Sequence, residues 1–247
     1  MVQQADDNQH IVKSYDDEIN ALQRQIIQMG GLVEKQVSDA IRSLKERDVE
    51  VAAHVIERDD QVDQMEEEID KEVIRLLATR QPMAVDLRLV AMAMKISNDL
   101  ERIGDYAANM AKRAITLAKS PPLKPLYTIP HMGQITQAMV KQILDAYVER
   151  DANKAMGAWY RDDEVDQLYD SLFRELTTYM LEEPRNIPTC VDLLAVAKHV
   201  ERIGDHACNI AEKIHYMVHG ERINRMPLEG QPNHNGGAAS PAEADAS

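Results

Sequence analysis

Four acidic pairs in this sequence have a spacing that suits metal binding. Each pair has three residues between its two carboxylates, so on a helix both side chains lie on one face, one turn apart. Like charges placed in this way repel each other, and a bound cation would turn that cost into a gain. Carboxylate oxygens are the usual ligands of Mg²⁺, Mn²⁺ and Ca²⁺, and of iron in carboxylate-rich sites. The candidate metal ligands are Asp59 with Asp63, Glu101 with Asp105, Asp162 with Asp166, and Glu201 with Asp205.

A solvated acidic surface is the competing interpretation of these pairs. In a chain with 42 Asp and Glu residues, several such pairs arise by accident, and one pair taken alone is more often an exposed helix face. Arg102 and Arg202 lie directly beside the glutamates and could neutralise them without a metal. Recurrence of the pairs favours metal binding, although two descendants of one ancestral domain could also share an inert surface.

The acidic pairs belong to an internal duplication. The sequence Glu-Arg-Ile-Gly-Asp occurs at 101–105 and again at 201–205. Arg-Asp-Asp occurs at 58–60 and 161–163, and Glu-Arg-Asp precedes each of these segments. Three anchors in the same order, with nearly the same spacing, predict a duplicated domain of about 100 residues, which is longer than a solenoid repeat.

Hydrophobic residues recur at spacings of three and four along both copies, which predicts long amphipathic helices. The third helix of each copy is the most regular, from Leu89 to Leu117 and from Leu193 to Met217. Asp48 is expected to cap the second helix. Gly104 and Gly204 fall inside helices, which close helix packing explains at least as well as a ligand does. The predicted fold is all-α, with two tandem, sequence-related three-helix bundles and six long helices.

Composition divides the chain further. Residues 1–13 are polar without periodicity and predict a flexible N-terminal arm. Residues 14–119 form the first predicted bundle, the Pro-rich segment 120–129 a linker, and residues 130–220 the second bundle. The second helix of that bundle is expected at about 151–182. Residues 221–247 are rich in Gly, Pro, Asn, Ala and Ser and predict a disordered C-terminal tail.

The net charge and the absence of known motifs argue against several classes of function. A net charge of −14 disfavours nucleic-acid binding, because contacts to the phosphate backbone need clustered Lys and Arg. Cys190 and Cys208 are not in a C-x-x-C spacing, and no long apolar run accompanies them, so a reduced, cytoplasmic protein is expected. The sequence has no P-loop, nucleophile elbow, Cys-His nucleophile or kinase signature, so no enzymatic activity is expected.

The duplicated D-x-x-x-D and E-R-I-G-D elements, on separate helices of a repeated three-helix unit, closely resemble the PhoU family of bacterial phosphate-transport accessory proteins. The resemblance covers roughly residues 15–220 and includes N-x-A after each E-R-I-G-D, at Asn109 and Asn209. It implies two three-helix bundles whose acidic motifs bind multinuclear metal clusters, iron in some members, on the bundle surface. By this resemblance the eight acidic residues bind divalent or trivalent metal ions, with Fe, Mn, Mg and Zn as candidates.

The same resemblance implies a function that residue spacing does not reveal. PhoU-like proteins are negative regulators of the phosphate-starvation response and of phosphate uptake. They connect the ATPase subunit of the phosphate-specific ABC transporter with the sensor histidine kinase of the phosphate two-component system. This chain is therefore expected to be a cytoplasmic homodimer without catalytic activity, which meets the membrane only peripherally, through those partners.

Two other function classes stay open. A metal-dependent enzyme would need ligands that face inward, whereas the helical period places Glu101 and Asp105 on the outer side of the third helix. A metal-binding or metal-buffering bundle without a role in phosphate signalling is the leading alternative. A metal store would need many ions per chain, and eight carboxylates are few.

Overall fold

A computed structural model describes residues 2–123 and 128–223, with side chains described from Tyr15 onward. These residues form α-helices and one short 3-10 helix, without a strand, which confirms the predicted fold class. None of these helices has the length and apolar character needed to cross a membrane. The helices are α1 (Val2–Glu46), α2 (Val49–Arg80), α3 (Ala84–Leu117), α4 (Thr128–Glu149), α5 (Ala152–Trp159), α6 (Asp162–Glu182) and α7 (Ile187–His219), with the 3-10 turn at Pro184–Asn186.

The predicted arm, linker and tail are described by the structure only in part. The backbone of residues 2–13, for which a flexible arm is predicted, belongs to α1. Residues 124–127 of the predicted linker lie outside the described residues, and Thr128 already begins α4. Most of the predicted tail, residues 224–247, also lies outside them. The flexibility of the arm and of the tail stays a prediction.

The regular hydrophobic patterns of α3 and α7 form the centres of the two bundles, as predicted. Every residue of both patterns is at most 5% exposed. The α3 face packs against α1 and α2, and the α7 face packs against α4, α5 and α6. The buried pattern residues are Leu89, Ala93, Ile96, Leu100, Ile103, Ala107, Met110, Ala114 and Leu117 in α3, and Leu193, Val196, Val200, Ile203, Ala207, Ile210, Ile214 and Met217 in α7.

The repeated Glu-Arg-Asp sequence makes the same helix turn in both halves. Arg47 and Arg150 adopt the left-handed conformation, with φ of 57° and 53°. The carboxylate of Asp48 then accepts hydrogen bonds from the first amides of α2, both at 3.0 Å. Asp151 caps α5 in the same way, at 2.9 and 3.0 Å. The predicted N-cap is confirmed, and its duplicate acts identically.

The helix predicted over about 151–182 is interrupted in the structure. It stops at Trp159 and resumes at Asp162, because the Arg161 amide bonds to the carbonyl three residues earlier, at 3.1 Å, and ends the regular helical ladder. The Cys208 thiol of α7 lies 3.9 Å from the Trp159 carbonyl oxygen. Asp162 therefore begins a helix of its own.

The first half has a contact that the second half lacks at this position. Arg58 bonds to Asp39 of α1 at 3.0 Å in the middle of an unbroken α2. In the duplicate, Arg161 is exposed, and Gln142 stands where that acid would be. The half that lacks this ion pair is the half in which the helix is interrupted, between α5 and α6.

The two halves join through α3 and α7, which run antiparallel. Tyr106 of α3 lies between His199 and His206 of α7, with ring centroids 5.7 Å apart in both cases. Asp99 lies one side chain further along, bonded to His206 at 2.9 Å and to Lys213. In the duplication, position 99 corresponds to position 199, and position 106 to position 206. The contact therefore has an approximate two-fold symmetry. The symmetry is not exact, because Asp99 corresponds to His199 and Tyr106 to His206.

Helices α1 and α4 cross at a second contact with the same symmetry. A Cβ added to Gly30 would meet Leu144 at 2.2 Å, and one added to Gly133 would meet Ile41 at 2.7 Å. Gly30 and Gly133 are duplicates, and so are Ile41 and Leu144. Each half thus places one large side chain against a glycine of the other.

Candidate metal site

The acidic pairs of the first half meet where α2 packs against α3. Asp59 and Asp63 lie on α2, Glu101 and Asp105 lie on α3, and the charge of Asp105 acts on the other three. Burial, followed by that charge, raises the pKa of Asp59 to about 6 and the pKa of Glu101 to about 7. Burial also raises the pKa of Asp63. The structure brings all four predicted residues into one group, the first cluster.

The second half repeats this arrangement where α6 packs against α7. Asp162 and Asp166 lie on α6, facing Glu201 and Asp205 of α7. Burial and the charge of Asp166 raise the pKa of Asp162 to about 7. Burial and the charge of Glu201 raise the pKa of Asp166 to about 6. These four residues form the second cluster.

In all four pairs, the first carboxylate has one buried oxygen that accepts no hydrogen bond from the described residues. Buried polar atoms normally have partners, and a charged group without one is costly. Glu101, with a side chain that is 18% exposed, lies deeper than its predicted place on the outer face of the helix. These oxygens are Asp59 Oδ1, Glu101 Oε2, Asp162 Oδ1 and Glu201 Oε2. The two glutamate oxygens have an arginine Nε at ion-pair distance, 3.3 and 3.8 Å, but accept no hydrogen bond from it.

These oxygens fit a cation. They are hard, negatively charged donors held by two helices, the kind of ligand that Mg²⁺, Mn²⁺ and iron take in carboxylate sites. In the geometry described, no three or more His, Cys, Asp or Glu side chains within residues 2–123 and 128–223 are arranged to hold one metal ion. The carboxylates are neighbours, and side-chain rotation is needed to bring them to a common point.

Arginine neutralises part of each cluster, as the competing interpretation supposes. Arg102 lies 3.1 Å from Asp105 and 3.3 Å from Glu101. Arg202 lies 2.9 Å from Asp205 and 3.8 Å from Glu201. Both arginines are about half exposed, at 51% and 48%, and ion pairs at such positions contribute little stability. In the second cluster the Lys198 ammonium also bonds to Glu201, at 2.5 Å. Four ionised carboxylates outnumber these paired cations, so each cluster stays negative.

The glycine of each E-R-I-G-D segment lies beneath the cluster. A Cβ added to Gly204 would lie 2.7 Å from Asp162 Oδ1, closer than real side chains approach. A Cβ added to Gly104 would lie 3.2 Å from Gln36 Oε1 and 3.6 Å from Asp59 Oδ1. Close packing therefore explains these glycines, as predicted, and site carboxylates are among the groups that approach them.

Sequence reasoning missed two polar groups beside the clusters. Gln36 is fully buried on α1, its Oε1 lacks a hydrogen-bond partner among the described residues, and its Nε2 donates to Val55 O at 3.4 Å. A glutamine between Val33 and Val37, on a buried helix face, was the available signal. Cys208 takes a comparable place in the second half, and burial raises the pKa of its thiol. The two clusters differ in these neighbours.

A cavity of about 450 Å³ opens beside the second cluster. Asp162 and Asp205 form part of its wall, together with Arg202 and the rings of Tyr106 and Trp159. It gives solvent and small ligands access to the carboxylates. A metal bound there would be exchangeable, unlike one enclosed in a bundle centre.

Known proteins match this chain over nearly all of both bundles. The PhoU domain matches twice, at residues 26–114 and 129–214. The phosphate-specific transport system accessory protein PhoU homolog of Caulobacter vibrioides is 47% identical over 216 residues, covering 87% of this chain and 94% of that protein. The homolog of the same name from Rhizobium meliloti is 46% identical over 212 residues, covering 85% and 90%.

Solved structures agree with these matches. The crystal structure of PhoU from Pseudomonas aeruginosa has a TM-score of 0.82 at 43% identity, covering 84% of this chain and all of that one. The phosphate transport system regulatory protein PhoU from Streptococcus pneumoniae has a TM-score of 0.79 at 30% identity, covering 85% and 99%. With both halves matched in sequence and in fold, the chain belongs to the PhoU family.

Proposed function

We propose that this chain negatively regulates the phosphate-starvation response and phosphate uptake. Membership of the PhoU family carries the proposal, because relatives at 46–47% identity are named accessory proteins of the phosphate-specific transport system. In this role the chain connects the ATPase of the phosphate ABC transporter with the sensor histidine kinase of the phosphate two-component system. It restrains the kinase when phosphate is plentiful.

The proposed adaptor is a cytoplasmic homodimer that catalyses no reaction, binds no nucleic acid and meets the membrane through its partners. Exposed apolar side chains support a docking role. Met83, Val85 and Leu87 lie at the junction of α2 and α3, and each is more than 40% exposed. Leu181 and Ile187 are similarly exposed at the junction of α6 and α7. Interfaces use apolar side chains presented in this way.

An alkaline phosphatase reporter of phosphate starvation tests the regulatory role. A strain without this chain should express the reporter in phosphate-rich medium, and the wild-type chain supplied in trans should restore low expression. Low expression in the deletion strain would contradict the proposal and would make metal binding without phosphate signalling the leading function.

We further propose that both clusters bind metal ions. The four buried carboxylate oxygens that accept no hydrogen bond from the described residues support this site, with all eight acidic residues as ligands after side-chain rotation. Divalent or trivalent ions of Fe, Mn, Mg or Zn suit the donor set, and two helices carrying four carboxylates can hold a multinuclear iron cluster. Metal binding by these oxygens is also the observation that supports the alternative function, a metal-buffering bundle.

Metal content by mass spectrometry tests the site. The Asp105→Ala/Asp205→Ala variant should lose most of its bound metal and keep its helix content by circular dichroism. The Glu68→Ala/Glu175→Ala variant removes two exposed acids elsewhere and should keep the metal. Equal metal content in both variants would exclude Asp105 and Asp205 as ligands. A few ions per chain in the wild type suits a regulator, whereas many ions per assembly suits a buffer.

A further inference from the structure

A second cavity, of about 310 Å³, is formed by α3, α7 and the segment that follows α7. It shares Asn209 with the cavity beside the second cluster and contains none of the eight acidic residues. Its volume lies at the lower end of the range found for small-molecule sites, about 300 to 1,000 Å³. The cavity is therefore a candidate site in its own right.

The lining of this cavity is basic in a strongly acidic chain. Lys95 comes from α3, Lys213 from α7, and Arg222 from the segment after α7, while Glu212 is the acidic residue among the described lining residues. The chain as a whole has a net charge of −14. This cavity, with three basic residues from three segments, therefore differs from the chain as a whole, in which acidic residues are in excess.

Two of these cations repel each other. Burial, and then the charge of Lys95, lowers the pKa of Lys213 to about 8. Asp99, only 7% exposed, holds the Lys213 ammonium from within the interface between the halves. An ammonium has three N–H donors, so this contact leaves donors for the cavity. An anion between the two lysines would remove their repulsion.

The segment after α7 brings the third cation into place. Gly220 ends α7 in the left-handed conformation, with φ of 76°. The His215 ring Nδ1 then lies 3.3 Å from the carbonyl oxygen of Glu221, so the chain folds back along the last turn of α7. Arg222 and Ile223 complete the wall, and both lie outside the residues matched by the PhoU domain.

We propose that this cavity binds a small phosphate-bearing anion, held by Lys95, Lys213 and Arg222. A phosphoryl group presents several acceptor oxygens in different directions, which matches cations converging from separate segments. Tyr216 and Asn209 line the same cavity, and a hydroxyl and an amide are neutral hydrogen-bond donors. Binding here depends neither on the metal clusters nor on the regulatory role.

Calorimetric titration of the full chain tests this site. The protein is treated with chelator, so that metal ions do not bind the probe, and titrated at constant ionic strength with orthophosphate, pyrophosphate and ATP in separate arms. Saturable binding of one anion per chain is expected. The Lys95→Gln/Arg222→Gln variant removes two exposed charges and should weaken binding about tenfold or more, since each lost contact is a charge-assisted hydrogen bond.

The charge-matched control is Lys71→Gln/Lys141→Gln, which removes two exposed lysines from other surfaces and should leave affinity within about twofold. Saturation by orthophosphate identifies the ligand as free phosphate, and saturation only by pyrophosphate or ATP identifies a phosphorylated metabolite. No saturable binding of any probe overturns the site. Equal affinities in the two double variants overturn it as well.

Discussion

Replacing Asp162 with Asn should stabilise the metal-free protein and weaken metal binding at the second cluster. Burial and the charges of Asp166, Asp205 and Glu201 raise the pKa of Asp162 from 3.8 to about 7. At about 1.4 kcal/mol per pH unit, the fully ionised carboxylate opposes folding by at most about 4 kcal/mol. The neighbouring carboxylates can turn away and admit water, so we expect a gain of about 1 to 3 kcal/mol.

The gain should depend on pH with a defined sign. An acid with a raised pKa in the folded state opposes folding above that pKa, and this penalty disappears as the pH falls toward the pKa of the unfolded chain. The gain should therefore be largest above about pH 7 and vanish near about pH 4. Asp163→Asn is the matched control, because Asp163 is exposed at the same end of α6 and should change stability by less than about 0.5 kcal/mol.

Urea unfolding in the presence of chelator, followed by circular dichroism across this pH range, measures the difference. Adding Mn²⁺ to about 100 times its dissociation constant should stabilise the wild type by about 2.7 kcal/mol and the variant by less. A variant less stable than wild type in chelator at alkaline pH would refute the reasoning. So would a difference that grows as the pH falls.

Three further predictions concern packing, capping and the contact between the halves. Gly204→Ala places a Cβ 2.7 Å from a site carboxylate oxygen and should cost about 1 to 3 kcal/mol in thermal unfolding, whereas Gly31→Ala, with open space around it, should gain up to about 1 kcal/mol. Asp48→Ala removes an N-cap and should lower the free energy of unfolding by about 1 kcal/mol in a urea titration. A change near zero would show that the cap does not stabilise the protein. Asp99→Asn leaves Lys213 without its carboxylate and should cost about 3 kcal/mol. Calorimetry should show most of that loss recovered when Lys213→Met is added, and no recovery would contradict the pairing.

The features that sequence predicts well here are set by residues close together in the chain. The period of α3 and α7 is repeated over many turns, so the buried faces from Leu89 to Leu117 and from Leu193 to Met217 follow from one pattern. Asp48 caps amides only two and three residues away. The spacing within each acidic pair is also local, and the structure brings the two pairs of each half together on neighbouring helices.

Other features depend on contacts between distant residues. Asp99 meets His206 and Lys213 across the interface, more than 100 residues along the chain, and the duplication predicts no such pair because Tyr106 stands in place of His206. The interruption before Asp162 accompanies contacts with α7 that no local pattern reports. The depth of Glu101 depends on how closely α2 packs over α3. Helical period alone does not describe that packing.

The two-fold contact between the halves also bears on how whole chains associate. The surface that α3 and α7 bury is self-complementary in the manner of an isologous dimer interface, and a single polypeptide already closes it. A second chain cannot use the same patch without separating the halves. Association of two chains therefore has to begin elsewhere on the surface, and Met83 and Leu181, each 81% exposed at a helix junction, are apolar side chains available for it.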